Sequence, residues 1–135
     1  MSASAEAAGV VLHYLDALGG EDVEWIVHHV GEGFENRHLT ALGEDSVGRA
    51  EYRDRLPGFL ADFVDRTYWV DEMVHEADET GTTVVARYRF EAVHQGVALS
   101  LPGLAWFRVE GGVITRRIDS WDSLTVLRQL GADDD

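Results

Sequence analysis

The sequence contains no cysteine, which excludes disulfides and thiolate chemistry. Lysine is also missing, so all 11 basic residues are arginine. These face 25 acidic residues, giving a formal net charge of −14. Nucleic acid is not an expected partner, because binding it takes a basic face that displaces counterions. An anionic membrane surface is disfavoured for the same reason. No apolar run approaches the roughly 20 residues that span a bilayer. The opening MSASAEAAGV lacks the basic region of a secretory signal, and a cytoplasmic location is the expectation. Phosphate loops, nucleophile elbows and dinucleotide fingerprints are absent; the turn-rich Gly43–Gly48 segment, GEDSVG, has no lysine for a phosphate. No His-x-x-x-His pair or acidic cluster suggests a metal, and no cofactor is expected.

What is present suits one folded unit. A chain of 135 residues fits a single domain, expected over 1–131, with an acidic frayed tail over 132–135. Helical signals fill the first half. Ser4 is placed to cap a helix from Ala5 to Leu18, on which Val11, Tyr14, Leu15 and Leu18 form an apolar stripe. Asp22 opens a second helix carrying Trp25, Ile26, His29 and Val30. The stretch from Phe34 to Leu42 reads equally as a short strand or an extended loop. A third helix is expected from Arg49 to Val64, kinked or divided at Pro57, which lacks an amide donor.

After Asp65 the period shifts toward two. One strand carries Tyr68 to His75, and the next runs from Thr82 to Val93. Another runs from Val97 to Val109, with a bulge expected near Pro102-Gly103. Gly111-Gly112 makes a hairpin turn, followed by a strand from Val113 to Trp121 and a short helix from Ser123 to Leu130. Helices followed by a four-stranded antiparallel meander make an α+β fold. Such a curved sheet, roofed by the N-terminal helices, closes into a cone with an open mouth.

The order of elements and the run GGVITRRIDSWDSLTVLRQLG resemble the nuclear transport factor 2-like superfamily. The likeness is to its SnoaL-like branch, which includes polyketide cyclases. Within the run, Gly112 to Thr115, the pair Trp121-Asp122, and Leu124 and Leu127 carry it. Gly48-Arg49-Ala50-Glu51-Tyr52 and His94-Gln95-Gly96 add to it. The resemblance implies a cone-shaped curved antiparallel sheet, a hydrophobic small molecule in the pocket, and a homodimer built on the outer sheet face. Ile114 to Asp122 also matches the spacing of the last strand in limonene-epoxide-hydrolase-like enzymes. That likeness gives Asp119 a pocket-facing catalytic role. Arg89-Phe90-Glu91 stands where those enzymes carry Arg-x-Asp, and Asn36 lies in the region of their water-positioning residues.

Two assignments of the candidate residues follow. Asp119 is either a general base in an apolar cavity or the partner of an arginine such as Arg117. His38 crosses the cone mouth and is a candidate partner acid or base; a solvated loop histidine is the plain alternative. Tyr52 and His94 are candidates for a cyclase or dehydratase mechanism, although the turn around His94 favours a structural role. Arg87, Arg89 and Glu91 share one strand face: either it lines the pocket, or Tyr88 and Phe90 on the opposite face do. The latter set is the better one to bury. Tyr14, Trp25, Phe59, Phe63, Tyr88, Phe90, Trp106 and Trp121 are the expected pocket wall, suited to a flat hydrophobic guest. The function expected is acid/base chemistry on a hydrophobic carbonyl or epoxide: isomerisation, cyclisation or epoxide opening. The alternative is a non-catalytic ligand-binding or dimerisation module.

Overall fold

The computed structural model describes residues 2–40 and 42–131; the acidic tail over 132–135 lies outside the described residues. Helix α1 (Ala3–Ala17) begins two residues earlier than expected, because Ser2 rather than Ser4 caps it. The Ser2 hydroxyl accepts from the Ala5 amide at 3.2 Å, satisfying a donor the helix itself leaves free. Val11, Tyr14, Leu15 and Leu18 fall at the i, i+3, i+4, i+7 spacing and are all buried. Helix α2 (Val23–Val27) is capped by Asp22, whose carboxylate accepts from the Trp25 amide.

Of the ambiguous stretch from Phe34 to Leu42, Phe34 to His38 resolves as strand and the described residues after it do not. β1 (Val30–His38) pairs with the two-residue β2 (Ser46–Val47), and α3 (Arg49–Asp62) follows. Pro57 neither divides nor ends α3. Its ring costs one backbone hydrogen bond, while Leu56 and Leu60 on either side are buried and hold the helix down. Long strands come next: β3 (Val64–Ala77), β4 (Thr82–His94), β5 (Val97–Glu110) and β6 (Val113–Trp121). Helix α4 (Ser123–Gln129) closes the chain, with Asp122 as its cap.

The sheet is six-stranded, in the order β2-β1-β6-β5-β4-β3. The expected four-stranded meander is therefore its larger part, β3 to β6. β1 adds to it parallel to β6, placing Asn36 beside Arg117 and His38 beside Asp119. The bulge anticipated at Pro102-Gly103 is not there: β5 pairs with β4 without a break through both residues. The irregularity falls instead between Arg108 and Val109, facing β6.

One face of the sheet packs under α1 and α3. Val84, Ala86, Tyr88 and Phe90 of β4 and Ala105, Phe107 and Val109 of β5 point into this core. Each fully buried large side chain there contributes about 1.5–3 kcal/mol by leaving water. A buried arginine fastens the helices to the sheet. Arg66, at the start of β3, donates to the carbonyls of Leu18, Gly20, Leu60 and Phe63 and to the Glu21 carboxylate. These carbonyls close the ends of α1 and α3, where helices run out of their own donors. The opposite face carries Arg87, Arg89 and Glu91, with Arg87 set 3.8 Å from both Asp71 and Glu72. Trp69, Val74, Leu104 and Trp106 are each half exposed or more there. No helix among the described residues is long and apolar enough to cross a membrane.

Candidate active site

Between the sheet and α3 lies a cavity of about 460 Å³. Its apolar wall comes from Leu18, Leu56, Phe59, Phe63, Phe90, Leu99 and Leu101. Its polar wall includes Asn36, His38, Ser46, Tyr52, Tyr68, Tyr88, Arg117 and Asp119, and the charged residues Glu44, Arg55 and Asp62 also border it. Strand alternation creates it. Arg117 and Asp119 are two apart on β6 and so point the same way, and the parallel register brings Asn36 and His38 alongside them.

Asp119 is buried at 3 % exposure, and so is Arg117 at 5 %. The Arg117 Nε lies 2.6 Å from Asp119 Oδ2. Its N–H is not aimed along that line, since Nε makes no aligned hydrogen bond. The contact is thus a close ion pair rather than a two-pronged fork. Asp119 Oδ1 instead accepts from the Tyr88 hydroxyl at 3.0 Å. Arg117 Nη1 donates to the Tyr14 hydroxyl at 3.1 Å, and that hydroxyl is hydrogen-bonded to the Tyr52 hydroxyl. The guanidinium carbon also lies 5.5, 5.6 and 5.7 Å from the ring centres of Tyr14, Tyr68 and Phe107. Burial opposes the Arg117 charge, but Asp119 and the surrounding phenols outweigh it and hold the guanidinium more firmly protonated than usual. Burial likewise pushes the phenols of Tyr52, Tyr68 and Tyr88 above their ordinary value, so they remain O–H donors.

At the mouth, His38 donates its backbone N–H to Asp45 Oδ1 at 2.8 Å, and its ring Nδ1 sits 3.3 Å from the same oxygen. Backbone donation from His38 holds the Asp45 carboxyl below the usual range. Two buried polar atoms on the wall, Asn36 Oδ1 and Ser46 Oγ, find no protein partner. Their residues face each other across the β1–β2 pair.

Several expected site residues lie elsewhere. Arg89 and Glu91 point to the outer face, because the inward positions of β4 belong to Tyr88 and Phe90. The Arg-x-Glu segment therefore does not assemble with Asp119. His94 is outside the cavity wall, stacked on Phe63 with ring centres 4.7 Å apart and donating Nδ1 to the Asp62 carbonyl. Trp25 is 51 % exposed on α2, and Trp106 is 50 % exposed on the outer sheet face. Tyr14 is fully buried behind the wall rather than in it. Tyr52, Asn36, Phe59, Phe63, Tyr88, Phe90 and Trp121 do border the cavity, with His38 and Asp119. Sequence reasoning passed over Tyr68, Ser46 and Asp45. Tyr68 was readable from its alternation with Trp69, whereas Ser46 and Asp45 lie in a loop without a period. Among the described residues, no three His, Asp or Glu side chains gather as metal ligands.

No curated protein matches the chain in sequence. Solved structures match its fold over nearly their full length. A Mycobacterium tuberculosis epoxide hydrolase of the limonene-epoxide-hydrolase-like type is 19 % identical, with a TM-score of 0.78, covering 96 % of this chain and 95 % of that one. A candidate polyketide cyclase from Xanthomonas campestris pv. campestris is 23 % identical, with a TM-score of 0.76, covering 96 % and 99 %. A Catenulispora acidiphila protein of ketosteroid isomerase-like fold, solved with trimethylamine, is 17 % identical, with a TM-score of 0.78, covering 90 % and 92 %. At these identities the likeness is one of fold. The family profile of the SnoaL-like domain matches residues 11–117, and the chain belongs to that family, within the nuclear transport factor 2-like superfamily.

Proposed function

We propose that the protein is a small-molecule enzyme that moves protons on a flat, hydrophobic carbonyl compound held in the cavity. The observation that carries this reading is Asp119, a buried carboxylate on the cavity wall, oriented by Tyr88 and set against Arg117. Asp119 takes a proton from the carbon next to the carbonyl, and negative charge then develops on the substrate oxygen. The phenols of Tyr52 and Tyr68 and the Arg117 charge lie on the same wall as donors for it. Asp119 passes the proton on to neutral His38, which returns it to the substrate at the mouth and leaves both groups as they began. Asn36 and Ser46 supply hydrogen-bonding positions for a further polar group of the substrate.

A carbonyl substrate is favoured over an epoxide by the outward placement of Arg89 and Glu91. Epoxide opening on this fold would draw on a charged pair there, and β4 instead offers Tyr88 and Phe90. Isomerisation and cyclisation both begin with the proton abstraction assigned to Asp119. The outer sheet face, with Trp69 and Trp106 half exposed, serves self-association as a homodimer in this reading.

A second reading, ligand binding without chemistry, draws on the 2.6 Å approach of Arg117 to Asp119. There the carboxylate serves as a counter-ion only. The two readings part in one experiment. A panel of polycyclic ketones, enones and epoxides is tested for binding by thermal shift and for turnover by mass spectrometry, with wild type and Asp119→Asn. The proposed function expects at least one carbonyl compound to be converted by wild type and bound but not converted by the variant. Equal conversion by both proteins, or binding with no conversion anywhere, overturns it.

A further inference from the structure

We propose that Asp45 is a positioning residue for His38: it fixes the imidazole as the Nδ1–H tautomer, so that His38 exchanges protons through Nε2. The arrangement is local and specific. One carboxylate oxygen, Asp45 Oδ1, receives both the His38 backbone N–H at 2.8 Å and the ring Nδ1 at 3.3 Å. Ring and backbone are thereby tied to a single atom. A carboxylate oxygen can only accept, so the nitrogen facing it carries the hydrogen.

The loop that bears Asp45 is shaped around this ring. A Cβ at Gly43 would come 2.3 Å from the His38 Cβ and 2.5 Å from its Cγ, so only glycine lets the loop close there. Arg55 Nη1 donates to the Asp45 carbonyl at 2.8 Å and pins the loop from α3. Arg37 Nη1 lies 3.9 Å from Asp45 Oδ2, leaving Oδ1 to His38. His38 itself borders the cavity with its side chain 15 % exposed, next to Asp119 in the β1–β6 register. Neutral His38 then accepts a proton at Nε2, and the resulting imidazolium returns it from the same atom, with the Asp45 charge behind it.

That His38 serves the reaction rests on the proposed function; its tautomer does not, and the experiment reads the tautomer. Uniformly 15N-labelled full-length protein is examined by long-range 1H–15N correlation at about pH 8.5, above the ordinary histidine range. His38→Gln assigns the signals. The expected pattern for wild-type His38 is protonated Nδ1 and unprotonated Nε2. Asp45→Asn, which keeps an acceptor oxygen, retains that pattern, and Asp45→Ala loses it in favour of Nε2–H. A wild-type His38 protonated at Nε2, or an Asp45→Ala pattern identical to wild type, overturns the proposal. The wild-type spectrum decides even if Asp45→Ala does not fold. A failure to find any substrate would strike the proposed function and leave this result standing.

Discussion

Tyr88 crosses Gly103. The two residues face each other in the β4–β5 register, and the phenol passes over the bare glycine backbone to reach Asp119. A Cβ at position 103 would lie 2.6 Å from both the Cζ and the hydroxyl oxygen of Tyr88. Gly103→Ala is therefore expected to push Tyr88 off Asp119 and to destabilise the fold by about 1–3 kcal/mol through overpacking. Tyr88→Phe removes only the hydrogen bond and should cost about 0.5–2 kcal/mol. Urea unfolding of both variants checks this; a Gly103→Ala protein as stable as wild type would show that the ring has room to spare.

Arg117 and Asp119 should prove energetically coupled. Removing either partner leaves the other charge buried, which typically costs about 3–5 kcal/mol, while removing both costs less than the sum. A double-mutant cycle with Arg117→Met and Asp119→Asn is expected to give a coupling of at least about 1 kcal/mol. Additive effects would mean that solvent reaches the pair.

Arg66 joins both helices to the sheet through carbonyls at the ends of α1 and α3. Arg66→Ala should cost several kcal/mol, at about 1–3 kcal/mol for each buried acceptor left unpaired. Arg66→Lys retains the charge but not the planar fork, and should recover only part of that loss. Chemical denaturation with an unchanged m-value would verify it. A loss under about 1 kcal/mol would show that water or backbone replaces the guanidinium.

The buried phenols predict an alkaline limit. Tyr52, Tyr68 and Tyr88 have folded pKa values raised by burial, so the protonated form is the one the fold favours. Their contribution to stability is complete below the ordinary tyrosine value near about 10 and is lost as pH rises beyond it. Phenolate absorbance from Tyr52, Tyr68 and Tyr88 should thus appear only together with loss of the circular dichroism signal. Ordinary titration of these three in a folded protein would contradict their burial.

Self-association through the outer sheet face is checked by light scattering. Wild type is expected to be dimeric at micromolar concentration, and Trp106→Glu monomeric with its far-ultraviolet spectrum intact. A monomeric wild type would remove that assignment.

Much of this architecture is legible in the sequence because it rests on periodicity. Val11, Tyr14, Leu15 and Leu18 announce a helix face, and the alternation through Tyr88 and Phe90 announces the face that is buried. The strand from Val113 to Trp121 agrees in sequence and structure, since Gly111-Gly112 and Asp122 mark its ends. Other features depend on contacts distant in sequence. Nothing local marks Phe34 to His38 as a strand; its pairing with β6 does. Ser2 and Ser4 are equivalent caps until the position of the Ala5 amide is known. The tryptophans misled for a related reason: a large apolar ring reads as interior, but Trp25 and Trp106 sit where the helix and the sheet turn outward. The Arg117–Asp119 contact was one of two open possibilities in sequence. Three-dimensional placement shows the carboxylate both paired and on the cavity wall.

The central claim is that Asp119 exchanges protons with a carbonyl compound inside the cavity. The most direct measurement is hydrogen–deuterium exchange beside the carbonyl of polycyclic ketones in deuterated buffer, followed by NMR, with wild type and a folded Asp119→Asn variant. The account predicts exchange by wild type on at least one ketone, about a hundredfold or more faster than by the variant. Equal rates in the two proteins, or no exchange above buffer on any ketone that binds, would contradict it.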